Sequence, residues 1–470
     1  MGKMFTIKAS EAHGRRLDPE YHHALRRTRI RSTYPSAKLL SLSYFRTGGT
    51  PSTAHPEYWN GSIPWVSAKD FKAFRFEDSE DHVTELAVAE STTCYVNRPA
   101  VLMVSRSGIL QHTLPVMVTH KPTTINQDIK AFFPDDRVSV DYLGAFFDVF
   151  GSRLLPLVCK SGATVQSLNT EQLMDLSIPL PPLSDQRKIV AELDAAYAAK
   201  RAADEKATKL LASIDDMVLK ELGIAKLPKP DTSLSSRIFT VPASEIYNGR
   251  LDAYYYKGNF KELNKKLSCC NCVPFGRLIT EIYNGIDCRD YKESGVPYLK
   301  VANVKPGEFD FDDLKYIDSQ EVGAKDIALR AGRMLLTRKG TFGNAIALSE
   351  DYDYAISSEV FCLSIKNELV DVHYLETFVN SSIGRMLCDK YKIGAIMGSL
   401  SQEAVKALPI PLPDAKVQHR IASRASSIRA EARKLKADAT AALDAARRKI
   451  EAGVVAANHS RGTREKGGNS

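Results

Sequence analysis

The sequence predicts an α+β protein formed by internal duplication, with two mixed α/β domains in tandem and a long helix after each. Three observations predict this fold class. Short strings recur at a nearly constant offset, the regions between them hold short apolar runs separated by Gly and Pro, and two Ala-rich segments carry a heptad pattern. The chain has 470 residues, about three times a usual domain, so two or more domains are expected.

The repeat relates the two halves of the chain at an offset of 232 to 234 residues. Residues 5–11 are similar to residues 239–245, and the Ile-Pro-Leu-Pro string of residues 178–181 recurs at residues 410–413. A constant offset over many strings is not expected by chance, so the chain is an internal duplication. Further pairs are 16–18 with 250–252, 63–66 with 296–299, 105–108 with 337–340, and 167–168 with 399–400.

The composition is that of an ordinary globular protein. Hydrophobic residues make up 44% of the chain and charged residues 26%, which excludes a collagen-like or mainly disordered chain. The formal charge of +8 is compatible with an anionic partner. No apolar run approaches the roughly 18 residues of a membrane helix, and residues 1–6 lack the apolar core of a secretory signal. We therefore expect a cytoplasmic protein without a membrane segment.

The eight cysteines are scattered along the chain, which predicts reduced thiols rather than a disulfide framework. Cys269 and Cys272 form one Cys-x-x-Cys motif, and Cys288 is the nearest further candidate ligand. A structural zinc site needs four ligands, usually supplied by two such pairs. The sequence therefore predicts no metal site.

Each repeat is predicted to consist of a body and a helix. A Pro-rich stop ends each body, and Ser184 or Asp185 in the first repeat and Asp414 in the second are suitable helix N-caps. The predicted divisions are a first domain at 1–182, a central helix at 183–223, a second domain at 235–413, a C-terminal helix at 414–457, and a polar tail at 458–470 that is expected to be disordered.

The two predicted helices carry matching apolar seams, with apolar residues alternately three and four apart. Either each helix covers its own domain, or the two pack on each other as a coiled-coil spacer, which the matched seams favour. A helix of about 30 to 35 residues would span ~45–50 Å. The first seam is Leu193, Ala196, Lys200, Ala203, Ala207, Leu210, Ile214 and Met217, and the second is Ala425, Ile428, Ala432, Leu435, Ala439, Ala442 and Ala446.

Motifs of catalysis are missing from the sequence. It contains no Walker A string, no HExxH, no GxSxG, and neither of the Asn-Pro-Pro-Tyr and Asp-Pro-Pro-Tyr tetrapeptides of amino-methyltransferases. The acidic cluster at residues 77–81 is interpreted as a solvated surface run. Together with the duplicated architecture, this favours a binding protein over an enzyme.

Two strings mark the end of the first body. Residues 162–169 read Gly-Ala-Thr-Val-Gln-Ser-Leu-Asn, and residues 176–190 read Leu-Ser-Ile-Pro-Leu-Pro-Pro-Leu-Ser-Asp-Gln-Arg-Lys-Ile-Val. The second half repeats them at 398–400, 408–413 and 418–421. These strings resemble the end of a target-recognition domain and the start of the spacer helix in specificity subunits of type I restriction-modification systems. The resemblance covers nearly the whole chain, from about residue 5 to 450.

The resemblance implies two target-recognition domains separated by two long antiparallel coiled-coil helices with pseudo-two-fold symmetry. It implies a non-catalytic subunit in which each half reads one part of a bipartite, asymmetric site in double-stranded DNA. The implied partners are two copies of an adenine methyltransferase subunit and a motor-nuclease restriction subunit. AdoMet, ATP and Mg²⁺ would belong to those partners, so this chain is expected to carry no cofactor.

Two departures from the expected pattern concern the DNA sequence that is read and the contact with a partner. Residues 357–359 read Ser-Ser-Glu where residues 126–128 read Asn-Gln-Asp, which suggests that the two bodies read unlike sequences. Val417 precedes Gln418 where the family usually has an acidic residue, which bears on how the last helix joins a partner.

Candidate DNA contacts are basic, amide and hydroxyl side chains near strand ends and loops, because Arg and Lys bind guanine or phosphate and amides bind adenine. Arg106 and Arg338 are the leading candidates, since each begins a Gly-containing loop at matching positions. The DNA-binding candidates are Lys69, Arg75, Arg106, Ser107, Gln111, His112, Lys160, Ser161, Lys300, Asn303, Arg338, Lys339, Thr341 and Asn344, and the spacer or partner-helix candidates are Leu193, Leu210, Ile214, Met217, Ile428 and Leu435.

Other residues are predicted to support the scaffold. Asn126 and Gln127 are expected to cap a turn, and Trp65 and Tyr298 to lie in the core. The repeated strings at 16–18 and 250–252 are expected to dock the opening segment of each half onto its body or helix.

Three alternatives remain open from the sequence. The chain could serve a fused methyltransferase-nuclease of the type II kind with a bipartite site. It could be an enzyme with an unrecognised active site at 60–130 or 290–360, or a structural adaptor that uses its helices without contacting DNA. A neighbouring gene for one fused polypeptide would support the first alternative, and activity of the purified chain alone would support the second. Loss of DNA retention at low salt would support the third.

Overall fold

A computed structural model describes residues 30–160, 166–227, 231, 233, 236, 238–246, 250–322, 329–394 and 398–455. The chain divides into two compact units, one of Met1–Ala203 with Lys436–Ser470 and the other of Asp204–Leu435, here called unit 1 and unit 2. Each unit holds one body and a part of both long helices. The predictions for residues 16–18, Ser161 and the tail at 458–470 lie outside the described residues.

The main sheet of unit 1 has four antiparallel strands in the order 43–47, 129–134, 100–104, 116–119. All five residues of Ala100–Val104 are buried because both faces of this strand are covered. Its side chains alternate between two apolar clusters: Val101 and Met103 pack with the helix Val140–Val158, and Leu102 and Val104 pack on the other side.

A second sheet of unit 1 has the strand order 81–83, 59–66, 123–125, 94–96, and its central pair is parallel. The prediction that Trp65 belongs to the core is confirmed. The strands of unit 1 are Ser36–Lys38, Ser43–Thr47, Trp59–Val66, Asp81–Val83, Cys94–Val96, Ala100–Val104, Val116–Thr119, Thr123–Ile125, Ile129–Pro134 and Ser177–Pro179, and its short helices are Leu39–Leu42, Pro56–Tyr58, Ala68–Asp70, Glu85–Glu90, Gly108–Gln111, Val140–Val158 and Thr170–Met174.

Unit 2 repeats this topology. Its main sheet has the order 279–284, 360–365, 333–337, 345–347, again antiparallel, and a second sheet pairs 296–299 with 355–356 in parallel. Tyr298 lies in the core as predicted. The remaining strands are Cys272–Pro274, Val304–Lys305, Glu308–Phe309, Lys315–Ile317 and Pro409–Pro411, and the short helices are Ala243–Ile246, Ala253–Tyr256, Gly258–Leu267, Phe275–Arg277, Val301–Asn303, Ser319–Val322, Val372–Asn380, Ser382–Tyr391 and Gln402–Ala407.

The same hydrogen bonds fix body to helix in both units. Gln186 is fully buried at the start of the first long helix, and its side-chain oxygen accepts the Ser139 N–H at 2.9 Å. Gln418 does the same at the second helix, accepting the Asp371 N–H at 2.9 Å. A buried amide with satisfied partners is costly to remove, so each Gln holds its helix against the body.

Two glycines allow close approach of strands in the two units. A Cβ on Gly48 would lie 1.8 Å from the carbonyl oxygen of Ile125, and a Cβ on Gly285 would lie 2.0 Å from that of Ile356. No other residue fits this packing without moving the backbone.

The long helices span Leu183–Glu221 and Ala415–Val455 and are therefore longer than the expected 30 to 35 residues. At 1.5 Å per residue, the first rises about 58 Å. Asp414 caps the second helix as predicted, accepting the Val417 N–H at 2.9 Å. The expected cap at Ser184 or Asp185 is wrong, because the first helix already begins at Leu183 and the Pro182 carbonyl accepts the N–H of Asp185 at 2.8 Å.

Every position of the first seam is buried or half-buried, with Leu193 and Met217 buried and Leu210 and Ile214 half-buried. In the second seam, Ile428 and Leu435 are half-buried as predicted. The prediction for Ala442 is wrong, because that residue is exposed. Leu443 and Ile450 are buried instead. An α-helix drifts by about 20° per heptad against a 3.5-residue repeat, which moves the buried stripe.

Within each unit the two helices run antiparallel. In unit 1, Glu192 near the start of the first helix pairs with Lys449 near the end of the second at 2.7 Å. In unit 2, Glu221 at the end of the first helix pairs with Arg420 near the start of the second at 2.8 Å. The helix parts therefore contact each other as well as the bodies.

Facing positions at these body–helix contacts carry different chemistry in the two units. In unit 1, Tyr197 stacks on Phe74 with ring centroids 5.4 Å apart, and a Cβ on Gly144 would lie 2.2 Å from Val118 and 3.5 Å from the Phe74 ring. At the offset of 232 residues, Arg429 of unit 2 corresponds to Tyr197 and Glu376 corresponds to Gly144. Arg429 and Glu376 form an ion pair at 2.9 Å with side chains 14% and 4% exposed. At this contact one unit thus has an aromatic stack and the other a buried Glu–Arg pair.

Opening residues 250–252 dock onto unit 2 as predicted. Arg250 donates to the carbonyl oxygens of Tyr391 and Lys392 at 3.0 and 2.9 Å, and it pairs with Asp252. In the part of the chain that the structure describes, all eight cysteines are free thiols and no group of His, Cys, Asp or Glu could hold a metal ion. None of the described helices is long and apolar enough to cross a membrane.

Candidate nucleic-acid interface

The hydrogen bonds of the two sheets define which residues correspond between the units. The Leu168 N–H donates to the carbonyl oxygen of Ser105, and the Leu400 N–H donates to that of Arg338. Ser105 therefore corresponds to Arg338, and Arg106 corresponds to Lys339. The pairing of Arg106 with Arg338 in the sequence is wrong by one residue, because the loops between the anchors differ in length.

Arg106 lies at the end of strand Ala100–Val104 in unit 1. Its Nε donates to Oδ1 of Asp128 at 2.6 Å, and its side chain is 56% exposed whereas that of Asp128 is 23% exposed. Asp128 precedes strand Ile129–Pro134, which pairs with the strand of Arg106. Adjacent strand ends thus hold a guanidinium group at the surface.

Two lysines lie close to each other at the same end of the sheet. Lys130 is opposite Thr47 in the neighbouring strand and lies over the Phe45 ring at 4.3 Å. Burial lowers the pKa of Lys130 from its ordinary value, and nearby Lys160 lowers it further. Lys160 is joined to this end because its N–H donates to the Ser167 carbonyl, and Ser167 bridges to Arg106.

Gln127 adds an amide to the group. Its Oε1 accepts the Thr50 hydroxyl at 2.6 Å, which fixes the side chain, and the residue is exposed. The neighbouring Asn126 is buried and accepts the Asp128 N–H at 3.0 Å, so the predicted turn cap is confirmed for Asn126. We call Thr47, Arg106, Gln127, Lys130 and Lys160 the unit 1 surface.

Two other candidates of unit 1, Arg75 and Lys69, are bonded to carboxylates outside the unit 1 surface. Arg75 bonds Asp141 and Asp194, which joins the body to two helices and gives it a scaffold role. Lys69 pairs with Asp81 at 2.8 Å and Glu80 at 3.3 Å within an acidic loop. Acidic neighbours make these two basic residues poor phosphate ligands.

The remaining candidates of unit 1 follow Arg106 along the chain. Ser107 is half-buried and caps the turn Gly108–Gln111 by accepting the Ile109 N–H. Gln111 and His112 are exposed on that turn. These two remain candidates by their exposure.

Unit 2 presents different residues at corresponding positions. Lys339 stands where Arg106 stands, Ser358 where Gln127 stands, and Phe361 where Lys130 stands, as the strand register shows. Lys339 is exposed. Asn284 corresponds to Thr47, and its Oδ1 accepts the Gln402 amide at 3.0 Å. We call Asn284, Lys339, Ser358 and Gln402 the unit 2 surface.

Two candidates of unit 2 are corrected by burial. Asn303 is 3% exposed and caps a turn by accepting the Lys300 N–H at 2.9 Å, as Asp70 does for Ser67 in unit 1. Asn344 is also 3% exposed and donates to the Val304 carbonyl at 2.8 Å. Base contact requires an accessible side chain, so both amides belong to the scaffold.

The other candidates of unit 2 are spread over its surface. Half-buried Arg338 lies over the Phe361 ring at 5.2 Å. Half-buried Lys300 has its ammonium 5.4 Å from the centroid of the Tyr291 ring. Thr341 is exposed in the loop after Lys339. The structure therefore brings Lys339 and Thr341 to the end of the sheet and leaves Lys300 elsewhere.

Sequence reasoning missed several members of these surfaces. Lys130 and Thr47 are not among the sequence candidates, nor is Thr50, which holds Gln127, and Gln127 is predicted only as a scaffold residue. A signal was available for Lys130, which is the one charged residue in the apolar string of residues 129–133. Thr47 and Thr50 carry no comparable signal, because their position depends on strand pairing.

A family model for the type I restriction modification DNA specificity domain matches residues 35–209 and 285–442. The chain is 39% identical over 148 residues to the specificity subunit of the type I restriction enzyme EcoR124I/EcoR124II of Escherichia coli, a match that covers 31% of this chain and 37% of that protein. It is 30% identical over 162 residues to the specificity subunit of the MjaIX enzyme of Methanocaldococcus jannaschii, over 33% of this chain and 36% of that protein. The chain thus spans about a third of the length of these relatives.

Among solved structures, the chain is similar to the S subunit of a type I restriction-modification system from M. genitalium. The identity is 11%, the match covers 90% of this chain and 96% of that one, and the TM-score is 0.40.

The family match extends over more than half of the chain and includes a part of each repeat. The protein is therefore of the DNA-specificity class. It belongs to the type I restriction modification DNA specificity domain family, which confirms the resemblance. The mixed sheets and the two long helices confirm the predicted fold class.

Proposed function

We propose that this chain is the non-catalytic specificity subunit of a type I restriction-modification complex, and that each unit reads one half of a bipartite site in double-stranded DNA. The observation that carries the proposal is a repeated scaffold with unlike surfaces. Gln186 and Gln418 repeat one structural device, whereas Arg106 and Lys339 differ at corresponding positions. Conserved support with divergent surface residues fits two related domains that read different half-sites.

The charge of the unit 1 surface supports contact with a polyanion. Arg106 donates to a single carboxylate, that of Asp128, and the charges of Lys130 and Lys160 lie near each other at the same end of the sheet. Lysines at a strand end are suited to phosphate contacts, and amide or guanidinium groups beside them are suited to base edges. The phosphate contacts would supply affinity for any duplex, and the base contacts would make the binding free energy depend on the DNA sequence.

The proposal extends to partners through family membership. Two copies of an adenine methyltransferase subunit and a motor-nuclease restriction subunit would assemble on this chain in the cytoplasm, and they would hold the AdoMet, ATP and Mg²⁺. Exposed positions along both long helices, between the buried seam residues, are available for such contacts. A fused methyltransferase-nuclease partner of the type II kind is the alternative.

A genome-wide map of adenine methylation tests the proposal. The map is compared between cells that carry this gene, cells that lack it, and cells that carry it with Arg106→Ala. A gapped two-part motif that disappears on deletion is the expected result, with methylation loosened in one half of the motif in the variant. A motif that persists after deletion would contradict the assignment.

The purified chain provides a second test that needs no partner. Retention on duplex DNA is expected to weaken with rising salt, because Lys and Arg contacts to phosphate release bound cations. Lys130→Ala and Lys160→Ala should each reduce the salt dependence by about one phosphate contact. Lys72→Ala is the matched control, because Lys72 pairs with Glu80 in the acidic loop.

A further inference from the structure

Arg106 presents a fixed donor pair to solvent. Its Nε donates to Asp128 Oδ1 at 2.6 Å, and among the described residues its two terminal nitrogens have no protein partner. Asp128 is itself fixed, because Asn126 accepts its N–H at 3.0 Å and its carbonyl accepts the Ser105 N–H at 2.7 Å. One edge of the guanidinium is therefore bonded to protein while its terminal N–H groups stay available.

The bonded carboxylate selects between the two kinds of group that arginine contacts in DNA. A phosphate carries a negative charge, and the adjacent Asp128 carboxylate would repel it. A neutral base edge does not suffer this repulsion. Lys130 and Lys160 lie at the same end of the sheet and can bind phosphates instead. The arrangement therefore favours a base contact for Arg106.

Hydrogen-bond chemistry then selects the base. Arginine donates through two parallel N–H groups and accepts nothing. In the major groove only guanine presents two adjacent acceptors, O6 and N7, on one base, whereas adenine pairs an acceptor with a donor and cytosine offers a donor. We propose that Arg106, positioned by Asp128, reads a guanine through O6 and N7 in the half-site of unit 1; this inference rests on the function proposed above.

Unit 2 lacks this arrangement. Lys339 occupies the corresponding position and Glu359 replaces Asp128. An ammonium group is a point charge without a planar pair of donors. The planar two-donor contact is therefore specific to unit 1, and the two units present different donors at this position.

The test uses the full chain and a selection from a random duplex DNA pool, which yields the bound motif. Each guanine of the motif is then replaced singly by 7-deazaguanine, which lacks N7, and binding is measured at one fixed salt concentration. For the native chain we expect a loss of about 10- to 100-fold at one guanine. Arg106→Lys should bind the parent site more weakly and lose under about 3-fold at that guanine.

Asp128→Asn distinguishes a positioning role from a merely structural one. Removing a negative charge should leave affinity for unrelated duplex DNA unchanged or raised, while the loss at the 7-deazaguanine site shrinks. A folding defect would lower both. Arg137→Lys is the matched control. Arg137 pairs with Asp135, which follows strand Ile129–Pro134, whereas Asp128 precedes that strand. This variant should behave like the native chain.

The outcomes separate this inference from the proposed function. A selected motif in which every 7-deazaguanine has equal effects on the native chain and on Arg106→Lys would overturn the guanine contact and leave the specificity role intact. If the half of the motif that Arg106→Lys affects contains no guanine, the guanine contact is likewise overturned and the specificity role is left intact. A selection that yields no motif would instead count against the proposed function.

Discussion

Replacing Glu376 with Gln removes a buried carboxylate from the contact between the body of unit 2 and the second long helix. Burial raises the pKa of Glu376 from 4.5 to about 7, Arg429 and Asn380 oppose this rise, and Asp371 adds to it. The folded state therefore binds the proton more tightly than the unfolded state. Stability from this group is fully present below about pH 4.5 and is lost as the pH rises through about 7.

The size of the effect follows from the same two values. The difference between 4.5 and about 7 corresponds to about 3 kcal/mol at 1.36 kcal/mol per pKa unit. Gln resembles the protonated acid in shape and charge. Glu376→Gln should therefore match the native chain at pH 4 and exceed its stability in unit 2 by about 3 kcal/mol at pH 8.

Hydrogen exchange resolved by peptide mass spectrometry measures this stability. Native and variant chains are compared at the same pH, so intrinsic exchange rates cancel, and peptides from Val372–Asn380 report unit 2 while those from Val140–Val158 serve as an internal reference. The exposed Glu431→Gln is the control variant on the helix of Arg429. An equal pH dependence in the native chain and Glu376→Gln would refute the reasoning.

Three further predictions concern the scaffold. Gln418→Ala should lower the stability of unit 2 by about 1–3 kcal/mol in the same exchange assay, because it leaves the N–H of half-buried Asp371 without its side-chain partner. Gly285→Ala should cost more, because the new Cβ would lie 2.0 Å from the Ile356 carbonyl oxygen; an unchanged melting temperature would contradict this clash. Leu193→Asp should destabilise unit 1 more than Leu210→Asp destabilises unit 2, since Leu193 is fully buried and Leu210 is half-buried; urea denaturation followed by exchange of peptides from each unit decides the order.

Much of the architecture could be predicted from the sequence, because it depends on local patterns. The duplication follows from repeated strings, the long helices from heptad seams, and the cap at Asp414 from local hydrogen bonding. The buried positions of Trp65 and Tyr298 follow from apolar strings. Errors at Ala442 and at the start of the first helix are shifts of one to three residues, which local patterns resolve poorly.

The candidate surface could be predicted only in part. Arg106, Lys160 and Lys339 were found because basic residues near loops are visible in any sequence. Their grouping with Lys130 and Thr47 depends on which strands pair. No local pattern reports that pairing.

The sequence by itself determined the fold class, the repeat and the family, since these depend on periodicity and on strings that recur. Only the tertiary structure decided which basic residues are available. Arg75 and Arg106 are both arginines near strand ends, yet Arg75 bonds Asp194, 119 positions away, whereas Arg106 bonds one carboxylate and keeps its terminal donors in solvent. Charge pairing acts through space rather than along the chain, so partners distant in sequence settle whether a side chain serves the scaffold or the surface.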